Sequence, residues 1–196
     1  MTMLLVEALL VLVLFILFAY LVALFLEFVR LHRGGVPFVP STTAILRAVI
    51  DANVLPHDGL ILDLGCGDGK ALRMLAHAGY KGPLVGYERA FYPWLHSKLW
   101  GILDRSPVIV RREDFSHAPL EEARGVYVFL LASVLSKLAP TLSLRLAPGT
   151  VVVSAEFPIA DWTPVQVLTA PGVTAREAKV FVYVVSGSRG SFQDVG

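Results

Sequence analysis

A chain of 196 residues is long enough for one domain with an appendage, and its formal charge of +1 carries no electrostatic sign of a nucleic-acid binder. The apolar fraction of 55% exceeds the roughly 45–50% of ordinary soluble domains, and the excess sits at the N-terminus. The single cysteine, Cys66, excludes an intramolecular disulfide and fits a reducing compartment.

Ala8 to Leu26 contains no charge and is dominated by Leu, Val and Phe. As a helix it covers about 28 Å, close to the hydrocarbon thickness of a bilayer. Glu7 and Glu27 bracket it, and Arg30, His32 and Arg33 follow. A cleaved signal would start basic and end on a small-residue site, and neither feature is present. A buried soluble helix would not be apolar on every face. The run therefore predicts a retained transmembrane anchor over residues 1–29. Basic residues favour the cytoplasmic side, which places the rest of this single-pass chain in the cytoplasm.

Residues 30–41 read as a juxtamembrane linker, because two glycines and two prolines in Gly34-Gly35-Val36-Pro37-Phe38-Val39-Pro40 break a helix. The main folded domain is expected over 42–196. Ser41 is the predicted N-cap of a helix from about Thr42 to Asn53, with Ala44, Ile45, Ala48 and Val49 on one face.

Leu60-Ile61-Leu62-Asp63-Leu64 reads as a buried parallel strand. It runs into Gly65-Cys66-Gly67-Asp68-Gly69-Lys70 and then a helical pattern from Ala71 to Ala78. Strand, glycine turn and helix open a doubly wound nucleotide-binding sheet, with the helix N-terminus aimed at the ligand. The dinucleotide fingerprint fails because Lys70 stands at its third glycine. The phosphate loop fails because Leu64 replaces its first glycine and Ala71 lacks a hydroxyl. Cys66 reads as a small buried residue within the turn.

The remaining pattern, Asp63-x-Gly65-x-Gly67-x-Gly69, resembles the class I methyltransferases that bind S-adenosylmethionine (SAM) and release S-adenosylhomocysteine. The apolar anchor, the Pro37-Phe38-Val39-Pro40-Ser41 segment and the Asp63–Gly69 loop in this order narrow the likeness. Together they resemble the membrane-anchored lysine methyltransferases that in mitochondria modify the ATP synthase c-subunit and the adenine nucleotide translocase. That resemblance implies a seven-stranded Rossmann-like sheet. It also implies cofactor contacts from Asp63, Gly65, Cys66, Gly67 and Gly69.

Leu84 to Glu88 is the second strand, with Glu88 at its C-terminal end. A carboxylate at this distance from the glycine turn accepts from both ribose hydroxyls of a nucleoside. The family usually continues with a small Leu-Asn-Pro-like turn. Here the chain reads Arg89-Ala90-Phe91-Tyr92-Pro93, which leaves Arg89 as a candidate along the adenine face. Pro93 to Leu103 predicts a helix whose Trp94, Leu95, Leu99 and Ile102 belong to the core. Val108 to Val110 is the third strand. After it, the resemblance gives Asp114 the adenine amino group and Phe115 the ring face.

Val126 to Leu131 is the central fourth strand, whose end at Leu130 lies beside the transferred methyl group in this superfamily. Leu130-Leu131-Ala132-Ser133 stands where nucleic-acid amino-methyltransferases carry Asn/Asp-Pro-Pro-aromatic, which argues against N6-adenine methylation. Ser133 is the predicted cap of a helix from Val134 to Leu146. Thr150 to Ala155 is the fifth strand. Glu156-Phe157-Pro158-Ile159-Ala160-Asp161-Trp162-Thr163-Pro164 resembles the family's Arg-Phe-Pro-x-x-x-Trp-x-Pro segment, with Glu156 in place of arginine. No long helix fits before Val165 to Leu168, and Val180 to Val185 closes the sheet as a hairpin partner.

The substrate side is expected to use Val39, Ser41, Glu156, Phe157 and Trp162. His117 is a lone candidate base, no catalytic residue is assigned, and no His/Cys metal constellation is present. The expected function is a membrane-anchored SAM-dependent protein-lysine methyltransferase acting on a membrane protein, with no nucleic-acid partner. A lipid or quinone methyltransferase and a non-catalytic SAM-binding module are the alternatives.

Overall fold

The computed structural model describes residues 2–32, 42–171 and 177–187. The chain divides into two compact units, Met1–Phe38 and Val39–Gly196. In the first, Thr2–His32 is one helix, α1. Among the described residues it is the one helix long and apolar enough to cross a membrane, over Leu4–Ala23, and none of that stretch is buried.

The second unit runs α2 (Thr43–Asp51), β1 (Leu60–Leu64), α3 (Lys70–His77), β2 (Leu84–Tyr87), α4 (Phe91–Leu103), β3 (Ile109–Arg111), β4 (Ala123–Val128), α5 (Ala132–Arg145), β5 (Val151–Ala155), β6 (Gln166–Pro171) and β7 (Glu177–Val184). The seven strands form one sheet in the order β3-β2-β1-β4-β5-β7-β6. β1 to β5 are parallel, and β7 is antiparallel to both β5 and β6. This is the expected seven-stranded Rossmann-like class I methyltransferase architecture, and its strand order reverses between β1 and β4. Such a switch point leaves a crevice beyond the carboxyl ends of the strands. The register aligns those ends: Leu64 pairs with Tyr87 and Val128, Tyr87 with Arg111, and Val128 with Ser154. The residues just beyond them therefore gather on one edge.

Both faces of the parallel strands are covered, which is why they read as unbroken apolar runs. Leu62, Leu64, Val126, Val128 and Val152 pack under Leu135, Leu138 and Leu142 of α5. Ile61 and Tyr127 pack on the other side with Ile45 and Val49 of α2 and Leu72 and Leu75 of α3.

Local chemistry differs from the sequence reading at three places. Thr42 caps α2, its hydroxyl accepting from Ile45 N at 3.2 Å. Ser41, expected in that role, lies outside the described residues, as do the 33–40 linker and Val39. Ser133 does not cap α5; Leu131 holds the cap position with no side-chain bond, so Ser133 falls inside the first turn. The third difference is α4. Leu95, Leu99 and Ile102 are exposed and Trp94 is only half-buried, while Pro93 and Ser97 are the buried residues. Apolar residues surround much of this helix, so sequence alone does not say which side meets the sheet.

The β3–β4 connection is stapled to the end of α5 by one arginine. Arg145 Nε donates to Glu121 Oε1 at 2.7 Å, while its terminal nitrogens reach Ser116 O and Ala118 O at 3.0 and 2.9 Å. The Arg145 hydrogen bond is the main cause that holds the Glu121 carboxyl at about 2, below its usual 4.5. A depressed folded-state pKa adds stability above the unfolded pKa and loses it as pH falls through the folded value. Glu121→Gln is expected to melt at a lower temperature than the wild type near neutral pH. Thermal melts at stepped pH should show that gap closing between about 4.5 and about 2.

Candidate functional site

The carboxyl edge of the sheet is built around the turn after β1. Gly65, Gly67 and Gly69 have φ of 84°, 56° and 74°, a left-handed backbone that side chains resist. Gly65 N and Cys66 N both donate to Tyr87 O, at 2.9 and 3.1 Å, so the turn folds onto the end of β2. A Cβ on Gly65 would come within 2.9 Å of the Leu130 side chain. A Cβ on Gly86 would come within 2.5 Å of Cys66 Sγ. The chain thus needs glycine on both sides of this crossing.

Glu88, the first residue after β2, braces the turn. Its Oε2 accepts from Gly67 N at 3.1 Å and its Oε1 from Ala90 N at 2.6 Å. A carboxylate has about four lone-pair positions, so capacity for two further donors remains. Two vicinal hydroxyls would use that capacity, and the half-buried side chain reaches solvent. On this observation a ribose fits.

Asp63 is buried near the end of β1. Burial pushes its carboxyl well above the usual carboxylate range, and the charges of Glu88 and Asp68 push it further. Burial likewise raises the Cys66 thiol, with Asp63 and Glu88 adding to the effect. A raised thiol pKa makes Cys66 a poor nucleophile, as its packing role requires. Glu88 and Asp68 disfavour a charge on Asp63, so positive charge placed beside it would favour its ionised form.

Arg73 and Asp104 complete the frame, and neither stood out in the sequence. Arg73 is buried on α3, its guanidinium bonded to Asp68 O and its Nε 3.0 Å from Asp104 at the end of α4. Asp68 Oδ1 also accepts from Lys70 N at 3.0 Å. An arginine inside the apolar stripe of an eight-residue helix was the available signal.

The adenine-side candidates are also brought together. Arg89 Nη1 lies 3.7 Å from Asp114 Oδ2. Asp114 Oδ1 accepts from Ser116 N at 2.9 Å, capping the short turn Phe115–His117. That bond is the first cause holding the Asp114 carboxyl below its usual range, with Arg89 contributing. Phe115 is half-buried against the core, and Leu130 is buried beside the glycine turn.

On the substrate side, Glu156 and Asp161 both adopt left-handed φ, 65° and 63°. Non-glycine residues there store strain that neighbours must hold. Ser154 Oγ donates to Phe157 O at 2.6 Å, and Ile159 N donates to the Tyr183 hydroxyl at 3.0 Å. Trp162 is buried edge-on to Tyr183, with ring centroids 5.6 Å apart, so this aromatic is part of the core. Ser154 and Tyr183 were missed by sequence reasoning. A serine within the apolar run Val151–Ala155 was the only sign of the first.

Four findings from known proteins bear on this site. The family model described as ANTKMT methyltransferase domain matches residues 63–166. A protein-lysine N-methyltransferase of Saccharolobus islandicus is 30% identical over 76% of this chain and 94% of its own length. The adenine nucleotide translocase lysine N-methyltransferase of Mus musculus is 32% identical over 80% of this chain and 66% of its own length. Among solved structures, an RNA methyltransferase of Salinibacter ruber in complex with S-adenosyl-L-homocysteine superposes with a TM-score of 0.67 and 27% identity, covering 80% of this chain and 100% of that one.

Glu88→Ala would remove the acceptor that fits two ribose hydroxyls and leave Gly67 N without its carboxylate partner. Glu88→Ala is expected to weaken SAM binding about 100-fold in calorimetry, equivalent to about 3 kcal/mol. Glu113→Ala, an exposed acid in the next loop, should leave it unchanged.

Proposed function

The chain belongs to the ANTKMT methyltransferase family, and from that premise we propose that it is a membrane-tethered protein-lysine N-methyltransferase acting on a membrane protein. It is a SAM-dependent methyltransferase. The observation that carries the lysine reading is the 30% identity spanning 94% of the Saccharolobus protein-lysine N-methyltransferase. Relatives named for methylating the adenine nucleotide translocase and the ATP synthase c-subunit support a membrane-protein substrate.

In this reading residues 1–29 anchor the chain, 30–41 link, and 42–196 catalyse. SAM, when bound, supplies a methyl group already activated by its sulfonium. Glu88 grips the ribose, and Gly65, Gly67 and Gly69 let the backbone approach the ligand closely. Arg89, Asp114 and Phe115 border the adenine, while Asp63 and Cys66 support the turn from below. Leu130 limits the pocket beneath the transferred group. The chain's main contribution is alignment of the acceptor for in-line displacement.

A lysine amine, with a free pKa of about 10.4, must lose a proton before it attacks. Glu156, half-buried just beyond β5, holds the incoming ammonium, assisted by Asp161 and the Phe157 ring. Desolvation at that edge lowers the amine pKa. The anchor raises the local concentration of a substrate confined to the same plane.

The Salinibacter structure's name favours a second reading, RNA methylation. The Leu130-Leu131-Ala132-Ser133 strand end argues against its N6-adenine form, and the near-neutral charge argues against a nucleic-acid substrate. Incubating host membranes with methyl-labelled SAM and the full chain separates these. Label is expected in a protease-sensitive band that yields methyl-lysine on hydrolysis. Nuclease-sensitive label, or label only in the lipid extract, would overturn the lysine assignment.

A further inference from the structure

α4 is an amphipathic helix turned inside out. At about 100° per residue, its buried Pro93 and Ser97 mark the side that meets the sheet. Phe91, Tyr92, Leu95, Leu99, Ile102 and Leu103 fall in one arc of roughly 120° on the opposite side. All six are exposed, Ile102 by 75%. No charged residue falls inside that arc. A soluble domain would ordinarily place polar side chains there.

The surroundings say what this face meets. Arg89, Lys98, Arg105, Arg111 and Arg112 are exposed around it. Arg112 lies over the Phe91 ring at 5.1 Å, and Lys98 lies 6.0 Å from the Trp94 ring. The nearby acids are largely engaged: Asp104 with Arg73, and Asp114 with Arg89 and Ser116 N, leaving Glu113 exposed. An apolar stripe carrying Phe and Tyr with a basic fringe is the chemistry of a helix lying in a headgroup region, and the fringe complements anionic lipid.

We infer that α4 is an interfacial helix whose outward face rests in an anionic lipid surface. The catalytic unit then has a lipid contact of its own, separate from α1. The inference rests on the membrane-tethered reading only for delivery of the protein to a bilayer. Lipid contact at α4 restricts how the carboxyl edge can present itself, because Ala90, which bonds Glu88, is the residue immediately before the helix. A cofactor-site residue and a lipid-facing residue thus stand only a few positions apart.

The test uses the full chain in vesicles of phosphatidylcholine with phosphatidylglycerol. Cys66 is buried and is the sole cysteine, so a surface cysteine can be labelled selectively. Leu99→Cys and Ile102→Cys each carry an environment-sensitive fluorophore. Leu144→Cys on α5, exposed on the opposite face of the sheet, serves as the control. The α4 labels are expected to shift to the blue and to be quenched by doxyl-labelled lipid, while the Leu144 label stays in water. Replacing phosphatidylglycerol by phosphatidylcholine should roughly halve the quenching.

Chain that floats with the vesicles but keeps its α4 labels in water would overturn this inference and leave the anchor standing. Chain that does not float at all would overturn both. A blue shift without lipid that disappears on dilution would assign the face to a second copy of the chain, again overturning the proposal. SAM binding, measured separately by calorimetry, reports on the methyltransferase assignment independently of these outcomes.

Discussion

The hydrogen bond from Gly67 N to the Glu88 carboxylate, 3.1 Å long, joins the two elements on which the site depends. One end belongs to the glycine turn after β1, the other to the first residue beyond β2. The two strands are neighbours in register, so their ends can touch only if the crossing is nearly free of side chains. Gly86 supplies that clearance: a methyl group there would press on Cys66. Gly65 does the same against Leu130. Backbone freedom at a few positions therefore decides whether the crevice exists.

Around this joint the electrostatics run against the protein's own stability. Asp63 is buried within the field of Glu88 and Asp68, and its carboxyl is pushed well above its usual range. A fold selected only for stability would favour an apolar residue there, because burying a polar carboxyl costs desolvation. Arg73 offsets part of the tension, its guanidinium lying 4.0 Å from the Asp68 carboxylate and 3.0 Å from that of Asp104. What remains is an acidic edge suited to a cationic ligand, and a sulfonium cofactor together with an ammonium substrate meets that description.

Much of this was legible in the chain itself. The β1 run, the turn from Gly65 to Gly69 and Glu88 are close in sequence, so spacing alone places them together. The helix-free passage from β5 to β6 also followed from pattern, while the seven-stranded sheet came from the family resemblance. The failures have a common cause, which is that burial is decided by distant elements. Leu95, Leu99 and Ile102 have core composition, yet α4 turns them outward. Ser133 has capping chemistry, yet the last β4 connection starts the helix one residue before it. The burial of Trp162 likewise depends on a distant element, Tyr183 on β7, which meets its ring edge-on. Arg73 lies on α3 and Asp104 just past the end of α4, a pairing that no local signal announces.

The most direct measurement is a crystal structure of the full chain with S-adenosylhomocysteine. The account predicts both ribose hydroxyls within hydrogen-bond distance of Glu88, with Gly67 N still bonded to that carboxylate. A nucleoside lying away from the carboxyl edge, or a Glu88 side chain turned from its sugar, would contradict it.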